Sequence, residues 1–107
     1  ALGIRIPVIY ATDYEFKGTK SDLVLDMCKQ LGAKSYIFGN QGRDYADVPS
    51  FTEAGIAVHF QAYKHPTYNQ LHGEFVSHLS VIDLLMNEGP RSLEIIMSGN
   101  ATRGDIP

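Results

Sequence analysis

Apolar residues recur with two spacings along the chain, and these spacings predict alternating strands and helices. β-branched and aromatic side chains predict three strands. The strands are expected over residues 4–11, 35–38 and 56–63. Pro7 removes one backbone donor, which places the first strand at a sheet edge or a bulge. Apolar residues at helical spacing predict a helix from about 20 to 31 that ends at Gly32.

Capping residues mark the remaining helices. Asp47 is suited to cap a short helix, and Pro90 suits the first position of the last one. Ser80 precedes a further helix and stands three residues before Asp83, an arrangement like a capping box, so we expect Asp83 to serve that cap. The positions of this helix that we expect in the core are Val81, Ile82, Leu84, Leu85 and Met86. Residues 99–107 are expected to form a flexible tail.

The order of these elements predicts the fold class. Successive strand and helix pairs favour a parallel sheet with right-handed crossovers. We therefore expect an α/β fold, a Rossmann-like three-layer partial domain whose short parallel sheet of about three strands is covered by helices. Three strands make a narrow sheet, and the chain opens at Ala1 without an initiator Met. We therefore expect residues 1–107 to form a single domain, the C-terminal half of a longer protein.

Composition and charge narrow the classes of function. With 107 residues, 44% of them hydrophobic and 20% charged, the chain is typical of one soluble domain. The net charge of −3, without any block of Lys or Arg, argues against a nucleic-acid partner. The single Cys28 cannot form an internal disulfide, and no apolar run approaches the ~20 residues of a membrane span. A cytoplasmic location is therefore expected.

A glycine turn directly follows the second predicted strand. The turn and its continuation contain Gly39, Gly42, Arg43, Asp44 and Tyr45. Backbone N–H groups of such a turn, together with the guanidinium fork of Arg43, suit a carboxylate or a phosphate. The spacing matches neither a dinucleotide fingerprint nor a P-loop. An equally supported alternative is that Arg43 pairs with Asp44 or Asp47 on the surface.

A second polar loop follows the third predicted strand. His65 opens it, Pro66 stiffens the backbone, and Tyr68 and Gln70 come shortly after. Because the carboxyl ends of parallel strands meet at one edge of a sheet, we expect His65 and Arg43 to face a common crevice. An imidazole placed there suits a general acid or base. A histidine that packs and hydrogen-bonds within its own loop is at least as common.

The remaining histidines and the cysteine do not predict a metal site. His59, His72 and His78 lack the spacing of metal ligands, and Cys28 lies on the apolar face of a helix. Cys28 is expected to be a small core residue. We therefore expect no metal.

Several stretches of the chain together resemble one bacterial family. They include Gly42-Arg43-Asp44-Tyr45, His65-Pro66-x-Tyr68-x-Gln70-Leu71 and Leu79-Ser80-Val81-Ile82-Asp83-Leu84-Leu85-x-Asn87-x-Gly89-Pro90. The pattern is similar to the C-terminal half of the WbqC-like family and runs along nearly the whole chain. The residues that the resemblance marks for attention are Gly39, Arg43, Asp44, Tyr45, His65, Pro66, Tyr68, Gln70 and Asp83.

The resemblance implies a transferase. Members of the family occur in gene clusters for O-antigen and other surface polysaccharides, where transfer of glycine or another amino acyl group to a sugar has been suggested. A fainter likeness of Tyr36-Ile37-Phe38-Gly39 with Asp44-Tyr45 to the pantothenate-synthetase branch of nucleotidyltransferases makes ATP a candidate cofactor. On this hypothesis His65 and Asp44 are catalytic. The residues that bind a small-molecule or sugar substrate are then Gly39, Gly42, Arg43, Tyr45, Tyr68 and Gln70.

The rival hypothesis is a non-catalytic binding or assembly module. In that case the aromatic and histidine side chains of residues 63–78 contact a partner. The partner would be another protein or the N-terminal half of the same protein, and in the second case the two halves would complete a nucleotidyltransferase-like enzyme. The sequence leaves the donor, the acceptor and assembly as a homo-oligomer open.

Overall fold

A computed structural model describes residues 1–106, and within them it defines four helices and two strands. The helices are α1 (Lys20–Gln30), α2 (Val48–Glu53), α3 (Val81–Glu88) and α4 (Ser92–Met97), and the strands are β1 (Ser35–Gly39) and β2 (Ala57–Gln61). The chain divides into two compact units. Pro7–Ala62 and the residues from Ala101 onward form the first, here called the sheet unit. Ala1–Ile6 and Tyr63–Asn100 form the second, the helical unit.

The sheet unit contains a parallel pair of strands. β1 and β2 lie side by side, with Ser35 opposite Ala57 and Gly39 opposite Gln61. α2 lies between them in the chain, as a crossover between parallel strands requires. The α/β class with a parallel sheet is therefore confirmed. The expected number of strands is corrected, because the described residues form a sheet of two strands rather than three.

The strand expected over residues 4–11 is absent. Ile4, Ile6, Val8 and Tyr10 are 66–78% exposed, and Ala11–Asp13 forms a 3-10 turn. A strand is stable only when a neighbour exchanges backbone hydrogen bonds with it, and no strand of residues 1–106 does so here. Residues 4–11 therefore have the composition of a strand, but no neighbouring strand within residues 1–106 pairs with them.

The core of the sheet unit lies between α1, α2 and the strands. Its fully buried members are Cys28, Phe38, Phe51 and Ile56, each 4% exposed or less. The rings of Phe38 and Phe51 meet edge to face with their centroids 5.4 Å apart. Burying such a side chain contributes roughly 1.5–3 kcal/mol. The predictions of a helix from residue 20 and of Cys28 as a core residue are both confirmed, and burial raises the pKa of the Cys28 thiol.

A hydrogen bond ties the start of α1 to the start of α2. Thr19 occupies the N-cap position of α1 but makes no side-chain cap bond. Ser21, which is buried, instead accepts the backbone N–H of Asp47 on its hydroxyl at 2.8 Å. Asp47 caps α2 as predicted, because its carboxylate accepts the Ser50 backbone N–H at 3.5 Å, and it also accepts the Ser50 hydroxyl at 2.6 Å. These bonds fix the end of the segment from β1 to α2 at Asp47.

The helical unit is a pair of short helices with a long polar loop before them. Ser80 caps α3 as predicted, because its hydroxyl accepts the Ile82 N–H. Pro90 was expected at the first position of the last helix. It lies instead in the 3-10 turn Gly89–Arg91, and α4 begins after this turn at Ser92. Leu84 is buried at 4% exposure as expected, whereas Val81 is 40% exposed. Ile82 and Met86 were also expected in the core and are 62% and 83% exposed. No described element of this unit covers those two side chains.

Two hydrogen bonds fasten the start of the polar loop to the end of α4. The Tyr63 hydroxyl donates to the Ile96 carbonyl at 2.7 Å, and the Lys64 N–H donates to the Gly99 carbonyl at 3.1 Å. Beyond this point, Arg103–Asp105 forms a 3-10 turn with a capping box between Thr102 and Asp105. The flexibility expected of residues 99–107 stays a prediction.

Candidate functional site

The glycine turn lies at the carboxyl end of β1. Asn40–Asp44 forms a 3-10 turn that packs against both strands. Gly42 is buried, and a Cβ built on it would lie 2.6 Å from the Cβ of Phe38. Neither Gly39 nor Gly42 has a positive φ. Glycine is therefore required at position 42 by close packing rather than by an unusual backbone conformation.

Arg43 lies on the surface of this turn and is supported by an aromatic ring. Its guanidinium carbon is 4.6 Å from the centroid of the Phe60 ring. Asp47, one of its two expected partners, accepts the Ser50 hydroxyl instead. Within residues 1–106 no carboxylate forms an ion pair with Arg43, so surface pairing with Asp44 or Asp47 is not observed. The guanidinium is positioned by stacking and keeps its N–H donors for another group.

Asp44 and Tyr45 continue the same surface. Asp44 is exposed, and its carboxylate accepts no hydrogen bond from the described residues. Tyr45 is 45% exposed, with its ring edge-to-face against Phe38 at 5.9 Å. Arg43 and Asp44 therefore present opposite charges beside one another, next to an aromatic side chain, at the carboxyl end of two parallel strands.

His65 lies at the centre of a ring cluster in the helical unit. Its Nε2 accepts the backbone N–H of His78 at 3.1 Å, so in the neutral imidazole the proton lies on Nδ1. Nδ1 is buried and has no hydrogen-bond partner among the described residues. The rings of Tyr68, Phe75 and His78 surround it with centroids 4.5–6.4 Å away. This is the packing expected of a histidine that stabilises its own loop, and its catalytic role stays a prediction.

Asp83 connects the polar loop to α3. Its Oδ2 accepts the Tyr68 hydroxyl at 2.6 Å and the Gln70 amide at 3.0 Å, and its Oδ1 accepts the Asn87 amide at 3.2 Å. The expected capping box is therefore wrong, since the carboxylate turns to the loop instead of back to Ser80. The hydrogen bond to this carboxylate raises the pKa of Tyr68.

Gln70 also closes the loop on itself. Its amide donates to the Val76 carbonyl and accepts the Val76 N–H, both at 2.9 Å. A cavity of about 220 Å³ opens beside these groups. Its lining consists of Gln70, Leu71, His72, Val76, Leu79, Asp83 and Asn87. Polar groups converge there on a small space with apolar walls, as in many ligand sites.

The structure divides the predicted site residues into two clusters, one in each unit. The sheet unit holds Gly39, Gly42, Arg43, Asp44 and Tyr45, and the helical unit holds His65, Tyr68 and Gln70. A common crevice for Arg43 and His65 stays a prediction. Asn87 was missed, although its position four residues after Asp83 on one helix places the two side chains on the same face.

Comparison with known proteins identifies the family. The model of the WbqC-like protein family matches residues 1–95. The chain belongs to the WbqC-like family. A relative of this chain, the uncharacterized protein Rv1507c of Mycobacterium tuberculosis (strain ATCC 25618 / H37Rv), is 35% identical over 89 residues. That match covers 82% of this chain and 38% of the relative.

The WbqC-like match includes both clusters, since all of their residues fall within positions 1–95. No solved structure matches this WbqC-like chain. Among the described residues, no helix has the length and apolarity needed to cross a bilayer.

Proposed function

We propose that this WbqC-like chain provides a substrate-binding part of a transferase for amino acyl groups. Glycine or another small amino acid would be transferred to a sugar of a bacterial surface polysaccharide. The observation that carries this proposal is the placement of Arg43 over Phe60, 4.6 Å from the ring centroid, without an ion pair among the described residues. A guanidinium so placed suits the carboxylate of an amino acid or the phosphate of a nucleotide.

The neighbouring groups fit the same chemistry. When ATP activates a carboxylate, a carboxylate oxygen bonds to the α-phosphate and pyrophosphate leaves, and the guanidinium of Arg43 with its free N–H donors suits either anionic group. Asp44 is the next residue and has no partner in the described part of the chain, so we assign it as the general base that takes the proton of the acceptor when the acyl group is transferred and AMP leaves. ATP is the cofactor that this proposal implies, and Tyr45 and Gly39 border the substrate.

The test is amino acid-dependent exchange of labelled pyrophosphate into ATP by the full-length protein. Wild type is expected to exchange with glycine or another small amino acid. Arg43→Ala should lower kcat/KM by about 10- to 100-fold, since a hydrogen bond to a charged group contributes about 1.5–3 kcal/mol. Arg43→Lys, which keeps the charge but not the fork, should give an intermediate loss. Arg91→Ala, at an exposed arginine of the helical unit, is the matched control and should not change the rate.

Stability measurements separate this effect from unfolding. Arg43→Ala loses a stacking contact at an exposed site, a contribution of about 0.5–1 kcal/mol, so Tm should fall little. His65→Ala, in contrast, removes a ring packed against three others and the acceptor of the His78 N–H. Loss of activity in that variant would carry little information. The proposal fails if no amino acid supports exchange, or if Arg43→Ala exchanges as fast as wild type.

A binding or assembly module is the second candidate. It is favoured by exposed apolar side chains in the helical unit, among them Leu71, Ile82 and Met86 at 62–83% exposure. Ile82 and Met86 are four residues apart on α3, so they lie on one face of that helix. On this hypothesis Met86→Asp abolishes association with a partner protein, and the wild type shows no exchange activity with any amino acid.

A further inference from the structure

The Asp83 carboxylate is hydrogen-bonded but not neutralised by a cation. Its three side-chain donors are a phenol and two amides, those of Tyr68, Gln70 and Asn87. No lysine, arginine or histidine of residues 1–106 forms an ion pair with it. A half-buried carboxylate without a counter-ion favours the approach of a positive charge.

The side-chain donors around this carboxylate already donate hydrogen bonds to other groups of the protein. Gln70 gives its N–H groups to Asp83 and to the Val76 carbonyl, and the only hydroxyl proton of Tyr68 goes to Asp83. Asn87 donates to the carbonyl and to the carboxylate of Asp83, while its own oxygen accepts no hydrogen bond from the described residues. The cavity therefore offers acceptors to a ligand, with His72 as its one titratable donor.

The size of the cavity limits the ligand. Its volume of about 220 Å³ lies below the roughly 300–1,000 Å³ of sites for larger ligands, so an amino acid or a single sugar ring is the appropriate scale. Leu71, Val76 and Leu79 supply apolar walls. These suit the CH groups of such a ligand while its polar end meets Asp83.

We propose that this cavity binds the primary ammonium group of a small ligand. Asp83 is the counter-ion, and the side-chain oxygen of Asn87 is a second acceptor. The inference rests on the proposed function, which supplies two sources of this group: the α-ammonium of an amino acid and the ammonium of an amino sugar. Both present three N–H donors and one positive charge, which is the complement of what the cavity offers.

The test is a titration of the full-length protein with glycine and with glucosamine, followed by NMR of the methyl groups of Val76 and Leu79. N-acetylglycine and N-acetylglucosamine are the matched ligands without an ammonium group. We expect one of the two amines to shift these methyl resonances and to show NOEs to them, and its acetylated form to do neither. The amine that binds identifies the source.

Variants test the role of the charge. Asp83→Asn should weaken binding of the amine at least 10-fold. Glu88→Gln is the matched control, because it removes one negative charge from the same helix while its carbonyl oxygen can still accept the Asn69 N–H. It should bind as wild type does. Should Asp83→Asn loosen the loop, the wild-type NOEs still decide the question without any variant.

Three results would overturn the inference. In the first, neither amine shifts the methyl resonances of Val76 and Leu79. In the second, the acetylated ligands bind as tightly as the amines. In the third, Asp83→Asn lowers Tm but binds the amine as tightly as wild type. The last result would make Asp83 a purely structural anchor. Pyrophosphate exchange is measured separately, so an amine bound here without exchange refutes only the proposed function. If the protein exchanges pyrophosphate but neither amine shifts the methyl resonances, only the ammonium site is refuted.

Discussion

The close approach of Gly42 to Phe38 predicts that a single added methyl group destabilises the sheet unit. In Gly42→Ala the new Cβ would lie 2.6 Å from the Cβ of Phe38 and 2.7 Å from its Cδ1. Phe38 is 2% exposed, and the rings of Phe51 and Phe60 lie 5.4 and 5.5 Å from its own. The ring has no free space to move into, so either the turn or the core must shift.

The expected cost follows from comparable overpacking. Forcing one extra carbon into a packed core costs typically about 1–3 kcal/mol. Replacing glycine reduces the entropy of the unfolded chain and offsets about 0.4–1 kcal/mol of this. The net loss lies between about 0 and 2.6 kcal/mol, with a central value of about 1.3 kcal/mol, and each kcal/mol lowers Tm by about 4–8 °C in a domain of this size.

Gly39→Ala is the matched control in the same turn. A Cβ built on Gly39 meets no atom within 4 Å, and the φ of −64° suits alanine. This variant should be as stable as wild type or slightly more so. Urea unfolding followed by circular dichroism measures both. Equal midpoints for the two alanine variants would refute this account of Gly42.

Two further variants probe the helical unit. The hydrogen bond to Asp83 raises the pKa of Tyr68 in the folded state above its value of about 10 in the unfolded chain. The stabilisation that this bond provides is therefore fully present below about pH 10 and is lost as the pH rises through the folded-state pKa. Tyr68→Phe should therefore lower the urea midpoint at pH 8 and have less effect at strongly alkaline pH; a difference independent of pH would contradict this. In Gly99→Ala the new methyl group would overlap the Lys64 carbonyl oxygen. Faster amide exchange at Lys64 is expected, and unchanged protection would count against that contact.

Local signals predicted most of the regular elements. α1 begins at Lys20 and includes the apolar positions that lie at helical spacing, and Asp47 and Ser80 cap the helices that follow them. The parallel pairing of β1 and β2 follows from the helix between them. Each of these features is decided within a few residues of the chain, by spacing, a cap or a short connection.

Features that depend on distant partners could not be predicted. Residues 4–11 have the composition of a strand, but the composition does not reveal whether a neighbour is available. Ile82 and Met86 have the spacing of core residues, yet nothing in the described helical unit covers them. Gly42 lies in a turn, where the sequence suggests that glycine is needed for backbone freedom. Only the structure shows that Phe38 occupies the space that a side chain at position 42 would need.

Asp83 shows why the same limit applies to the candidate site. From the sequence its nearest donor is the backbone of Ser80, and a capping box is the local solution. In the structure Tyr68 and Gln70, fifteen and thirteen residues earlier, donate to the carboxylate instead. Two side-chain donors together stabilise a charged acceptor more than one backbone N–H does. The loop is thereby held on α3 by the Asp83 carboxylate, in addition to the Glu88 carboxylate that accepts the Asn69 N–H. A substitution at Tyr68 or Gln70 consequently acts first on the position of the loop, and assigning chemistry to either residue requires a structural readout alongside the rate.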